Sequence, residues 1–351
     1  MVMLNHLLGR TSAAALGGRG YLGVAIFFVL SGFVITMVVG THRISFGFLG
    51  RFALRRSIRL DIPYWVSITL SLILMAIAAH LGIPKQGITT FQVLAHLTYS
   101  QEIFRFEEIS AVYWTLCLEV QFYLALILML WIAQTLGAKW ENFLRLSIGL
   151  MGLSVLIHME WVPNIHGLML SYWWAFGLGS LCYWTLVGRN SGWYLAFGCA
   201  GLLLSGLSFH GDWRLTAAAT ACLLFLAWHR KAMETWLADR VCQFLGRVSY
   251  SLYLFHPLIG WSAQSFALRY LNQWGALAVG IGASVTCAWL AYIAVERSSI
   301  RLSHYINLEP APCRAAAPRS WSVHGLLTAT GFRTSSMLSQ SARRALGLRS
   351  T

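Results

Sequence analysis

The chain has 351 residues, of which 57% are hydrophobic and 11% charged. A soluble domain carries about 25% charged residues, so a fully water-exposed surface is excluded and a bilayer, where outward side chains are apolar, is implied. The formal net charge of +14 lies in short arginine runs between apolar segments, a placement that follows the positive-inside rule and argues against nucleic acid as a partner.

A spanning helix needs about 20 mostly apolar residues. Such stretches occur at 21–40, 62–83, 111–133, 143–158, 168–187, 193–209, 214–229, 244–263 and 274–296. They are continuous rather than alternating, so they read as helices and not as barrel strands. The expected fold class is all-α: a polytopic integral membrane helical bundle of nine spans within 1–300, followed by a basic, flexible tail, 301–351. The sixteen Trp and thirteen Tyr suit the two membrane–water interfaces.

Loop charge gives the expected orientation. The segment 41–61 carries Arg43, Arg51, Arg55, Arg56 and Arg59; 230–243 carries Arg230, Lys231 and Arg240; the tail after Glu296 carries eight arginines. All three fall on one side if nine helices alternate, which makes that side and the C-terminus cytoplasmic. Residue 1 is then outside, and residues 1–8 read as the outer end of a further helix. No signal-peptide pattern precedes the first long apolar run. The seven cysteines form no CxxC pair and read as small buried hydrophobes, and the scattered histidines lack ligand spacing, so no metal site is expected.

Four motifs stand in order along the chain. The first is Gly23-Val24-Ala25-Ile26-Phe27-Phe28-Val29-Leu30-Ser31-Gly32-Phe33. The second is Arg51-Phe52-Ala53-Leu54-Arg55-Arg56-Ser57-Ile58-Arg59, followed by Pro63 and Tyr64. The third runs from Trp114-Thr115-Leu116-Cys117-Leu118-Glu119 to Phe122-Tyr123, and the fourth is Ser249-Tyr250-Ser251-Leu252-Tyr253-Leu254-Phe255-His256-Pro257. Together they resemble acyltransferase family 3, the bacterial membrane O-acyltransferases of surface polysaccharides, over roughly residues 1–300. The resemblance implies a ten-helix bundle in the bacterial inner membrane. It implies acyl-CoA, most plausibly acetyl-CoA, as co-substrate, no permanently bound cofactor, and a glycan or lipid-linked saccharide as acceptor. Two departures stand out: the arginine that precedes the family's first-helix histidine has no counterpart, and Glu296-Arg297-Ser298 replaces the family's Glu-Arg-Pro or Glu-Lys-Pro.

Acyl transfer to a hydroxyl needs a base and a site that binds the donor. Glu119 lies mid-helix in an apolar stretch, and an intramembrane carboxylate is expensive enough to be a functional candidate. Thr115, Phe122 and Tyr123 share its face; the alternative is a structural ion pair with an arginine from another helix. The residues alone read His6 as a solvated histidine, and only the resemblance assigns it the base. Arg51, Arg55 and Arg59 form one helical stripe. A guanidinium cluster suits the phosphates of an acyl-CoA donor, with topological anchoring as the alternative, and the resemblance implies functional importance for Arg55, Arg56 and Arg59. Trp114, Tyr123, Tyr253 and His256 are the candidates for substrate binding, while a buried, hydrogen-bonded histidine is the plainer reading of His256. Phe27, Phe28, Ser31 and Gly32 read as packing residues, with Gly32 allowing close helix approach. Two other functions remain open: a transporter using buried Glu119 and His256 as a proton relay, and an inactive relative of the acyltransferases.

Overall fold

The computed structural model describes residues 1–9, 11–12, 18–40, 42–82, 87–209, 211–233 and 235–308. The described residues form helices and no strands. In chain order these are α1 (Val2–Leu8), α2 (Leu22–Val39), α3 (Phe46–His80), α4 (Thr90–Leu97), α5 (Tyr113–Thr135) and α6 (Trp140–His158). A single 3-10 turn leads into α7 (Trp173–Leu186), followed by α8 (Gly192–Ser208) and α9 (Asp212–His229). Then come α10 (Arg240–Phe255), joined by a π-turn to α11 (Trp261–Ala267), and α12 (Gln273–Ala291), joined by another π-turn to α13 (Arg297–His304).

Each expected stretch falls on one of these helices. Five are long and apolar enough to cross a bilayer: α2, α3, α5, α6 and the continuous rod Gln273–His304. Length and composition do not by themselves establish nine crossings, because α7 has only 14 residues and α8 only 17. Large apolar side chains such as Leu124, Leu128, Phe197 and Leu204 point outward, as lipid contact requires.

The arginine-rich segment 41–61 is not a loop. Ser45 caps a 35-residue helix by accepting from the Phe48 backbone N–H at 3.2 Å, and the helix runs from Phe46 through all four arginines to His80. At about 1.5 Å per residue such a helix is far longer than the roughly 30 Å apolar layer. Its first turns therefore lie beyond that layer and carry charge without leaving the helix. Pro63 sits inside α3 and has no N–H to give to the Arg59 carbonyl. Ser299 Oγ donates to that carbonyl at 3.3 Å, and Tyr250 OH donates to the neighbouring Leu60 carbonyl at 2.8 Å. The proline thus frees the Arg59 carbonyl for Ser299, and the two side-chain bonds dock α3 against α13 and α10.

The start of the expected tail behaves differently from the expectation. Residues 301–304 continue α13, and His304 Nδ1 lies 3.0 Å from Arg55 Nη2 on α3. The rest of the tail, 309–351, lies outside the described residues.

Packing of α2 on α7 holds one core together. A side chain on Gly32 would run into the Phe176 backbone, and one on Gly179 into the Val29 carbonyl, so the two glycines let the helix backbones touch. Thr36 Oγ1 donates to Ser180 Oγ at 2.7 Å across the same seam. Phe28, Phe122, Trp173, Phe176 and Trp184 fill the space beside it. A second cluster, built on Tyr64, Tyr113, Leu116, Leu254 and Phe255, joins α3, α5 and α10.

Candidate active site

Glu119 is 5% exposed, and its Oε1 accepts from Ser31 Oγ at 2.9 Å. The same oxygen lies 3.6 Å from Arg56 Nη2. Arg56 also donates to Tyr123 OH, and its guanidinium lies over the Tyr123 ring at 4.3 Å from the centroid. Arg55, Arg56 and Arg59, expected together at the donor, therefore take different places. Arg56 turns inward to the carboxylate, Arg55 reaches His304, and Arg59 is exposed. The ion pair anticipated as the alternative reading of Glu119 is present. A carboxylate placed mid-helix among apolar neighbours needs such a partner, because an uncompensated buried charge costs several kcal/mol.

His6 lies elsewhere, on α1, beside His256. Their ring nitrogens, His6 Nδ1 and His256 Nε2, are 3.0 Å apart, and the rings stack with centroids 5.2 Å apart. Local sequence fixes how His256 sits. Pro257 lacks the N–H that an α-helix would give to the Tyr253 carbonyl, and the chain relaxes into a π-turn from His256 to Gly260. His256 Nδ1 fills the gap, at 2.9 Å from the Leu252 carbonyl and 3.0 Å from the Tyr253 carbonyl.

Carbonyls only accept, so His256 Nδ1 carries the hydrogen and its Nε2 offers a lone pair. His6 Nδ1 must then donate to that lone pair, which leaves His6 Nε2 unprotonated. That is the protonation state of a general base. The backbone of α1 is held from the same helix pair: Trp261 Nε1 donates to the His6 carbonyl at 3.3 Å and Gln264 Nε2 to the Leu7 carbonyl at 3.0 Å.

Tyr253 stands between the two groups. Its OH lies 2.5 Å from Thr115 Oγ1 and donates to the Val112 carbonyl at 3.1 Å. Its ring is 6.2 Å from that of His256 and stacks on Phe27. Thr115 is one helical turn from Glu119 on α5, and Tyr253 on α10 meets Thr115 through its hydroxyl and His256 through its ring. Trp114 meets Phe28 edge-on and leans on Tyr172. Among the described contacts, those of Glu119 are with Ser31 and Arg56, and those of His6 with His256 and Trp261.

Sequence reasoning passed over several of these residues. Ser31 reads as a packing residue in the sequence, although a hydroxyl in the apolar run of α2 is a signal that it has a polar partner. Glu296 was noted only as part of a departing motif; it is 5% exposed and accepts from Ser251 Oγ at 2.5 Å and from the Ser251 N–H at 3.2 Å. Trp261 and Gln264 had no sequence signal, since their partners are backbone atoms some 255 residues away. Among the described residues, no group of three or more His, Cys, Asp and Glu side chains could hold a metal ion.

Compared with known proteins, no curated protein and no solved structure matches the chain. Its residues 1–293, however, match the acyltransferase domain family. The match spans the four motifs, the Arg56–Glu119 pair and the histidine pair, and the chain belongs to acyltransferase family 3.

Proposed function

We propose that the protein is a membrane O-acyltransferase that moves an acyl group, most plausibly acetyl, from acyl-CoA to a hydroxyl of a glycan or related cell-surface acceptor. The observation that carries this reading is the hydrogen-bonded pair His6–His256, whose tautomers leave His6 Nε2 free to take a hydroxyl proton. As the hydroxyl oxygen attacks the thioester carbonyl, its proton passes to His6 Nε2. The positive charge spreads to His256, whose Nδ1–H is held by two carbonyls. The C–S bond then breaks, the ester stays on the acceptor, and coenzyme A leaves as the thiol with that proton, which restores neutral His6.

In this reading the nine expected stretches cross the bacterial inner membrane, with the arginine-rich end of α3 and the C-terminus in the cytoplasm. Arg55 and Arg59 meet the phosphates of the donor there, because Arg56 is committed to Glu119 and Tyr123. Glu119 orients the site through Arg56 and, one turn along α5, through Thr115 and Tyr253. Trp114, Tyr123, Tyr253 and His256 line the acceptor's approach.

The test is transfer of radiolabelled acetyl from acetyl-CoA to endogenous saccharide in inside-out vesicles. Label should appear in saccharide with the wild type and vanish with His6→Asn. Arg59→Ala should raise the KM for acetyl-CoA about 10-fold, the lower end for one charge-assisted phosphate contact. Solute uptake without labelled saccharide would replace the enzyme with a transporter.

A further inference from the structure

Arg214 has no role in the site above, and its surroundings are unusual. It lies in the first turn of α9, at the end of the bundle opposite the arginine-rich end of α3, and is 3% exposed. Charge placement for topology explains neither that end nor that burial. Its Nη2 donates to the Ser205 carbonyl at 3.1 Å, while its Nε is buried without a partner. No described carboxylate pairs with it: the ion pairs among the described residues lie elsewhere. Asp212 accepts from Tyr21 OH at 3.4 Å, and Glu160 is exposed.

The guanidinium is nevertheless held in place. It lies directly over Gly211, where any side chain would collide with it. It lines a cavity of about 420 Å³ together with His158, Met159, Glu160, Ser208 and Phe209. The Glu160 carboxylate is exposed and forms no ion pair with Arg214. A buried cation with a spare donor, no carboxylate in ion-pair contact and an adjacent cavity matches a planar oxyanion, because guanidinium pairs bidentately with carboxylate or phosphate.

A run of ring contacts extends from His158, at the cavity, to His256. His158 packs against Trp213 and Tyr172, Tyr172 against Trp114 and Phe28, and Tyr253 against both Phe27 and His256. Trp213, Tyr172, Trp114 and Tyr253 are all half-buried, so each presents part of its ring to the space beside it. Amphipathic rings of this kind suit a ligand with both apolar faces and hydroxyls, such as a sugar.

We infer that Arg214 forms an oxyanion-binding subsite for an acidic saccharide acceptor, which lies along the aromatic residues with its reactive hydroxyl toward His6. This deepens the proposed acyl-transfer reading by naming the acceptor class. The test is binding without donor, so it stays readable whether or not the protein turns over. The full chain is placed in phosphatidylcholine nanodiscs and titrated with a glucuronic acid-containing disaccharide and with its neutral glucose counterpart. The acidic sugar should bind more tightly. Arg214→Gln should weaken it about 10- to 100-fold and collapse the acid-over-neutral ratio, and Arg214→Lys should restore part of that ratio. Equal binding of both sugars by the wild type overturns the subsite. So does an equal loss of both in monodisperse Arg214→Gln, which would mark a structural arginine. A second titration in phosphatidylglycerol nanodiscs separates the sources of the oxyanion. Unchanged sugar binding there supports the acceptor, whereas full displacement by the lipid assigns Arg214 to a headgroup phosphate and overturns the acceptor assignment.

Discussion

Breaking the Arg56–Glu119 pair should cost more than removing it. Glu119 Oε1 has two partners, Ser31 at 2.9 Å and Arg56 at 3.6 Å, and is almost wholly enclosed. In Arg56→Met the carboxylate keeps only the serine; in Glu119→Gln the guanidinium keeps Tyr123 but loses its counter-charge. Removing one partner of a buried ion pair costs about 3–5 kcal/mol, while replacing both is often close to neutral. At about 2–4 °C per kcal/mol for a chain of this order of size, each single variant should lose roughly 6–20 °C in a fluorescence-detected thermal assay of the detergent-purified protein. The double variant keeps the Ser31 hydrogen bond through the glutamine amide and buries no charge, so it should recover most of that loss. With the double variant near neutral, the coupling expected from the cycle is the sum of the two single losses, about 6–10 kcal/mol. Additive losses in the double variant would refute the reasoning, because groups that do not interact do not couple. Transfer activity completes the experiment. A double variant that is stable but inactive assigns the pair a functional role, and one that is stable and active makes it structural.

The histidine pair should fail asymmetrically: His6→Asn should abolish acyl transfer, and His256→Gln, whose amide oxygen reaches the Nε2 position and can still accept from His6 Nδ1, should retain a measurable fraction, with the acid limb of the pH–rate profile moved; equal, complete loss in both would contradict the roles assigned from their hydrogen bonds. In the loop between α4 and α5, burial and then the neighbouring Glu108 carboxyl push Glu102 up to about 7, so its neutral form is favoured in the fold. The stabilisation is full below the ordinary carboxylate range and fades as pH rises through about 7. Proteolysis of that loop should therefore quicken between pH 5 and pH 8 in the wild type and stay flat in Glu102→Gln. Cys242, in the first turn of α10 and only half-buried, should react with a membrane-impermeant thiol reagent in inside-out vesicles and resist it in intact cells; the reverse pattern would invert the proposed orientation.

The membrane character, the helical class and the family were legible in the chain. Continuous apolar runs such as 111–133 leave a bilayer little choice but helices, and the four motifs keep their order whatever the packing. Glu119 was legible because a carboxylate in such a run is conspicuous, and so was Gly32, since glycine amid bulky residues marks a close approach. Partnership was not legible. Arg51, Arg55 and Arg59 form one stripe in the sequence with Arg56 beside it, and only tertiary packing turns Arg56 to Glu119 across 63 residues and leaves Arg59 exposed. Charge density read as a loop where the structure has the first turns of a 35-residue helix, because charge reports where a segment meets water and not how its backbone is bonded. The meeting of His6 with His256 joins positions 250 residues apart. Its geometry depends on a π-turn that His256-Pro257 permits locally, and on α1 being docked by Trp261 and Gln264, for which spacing along the chain gives no sign.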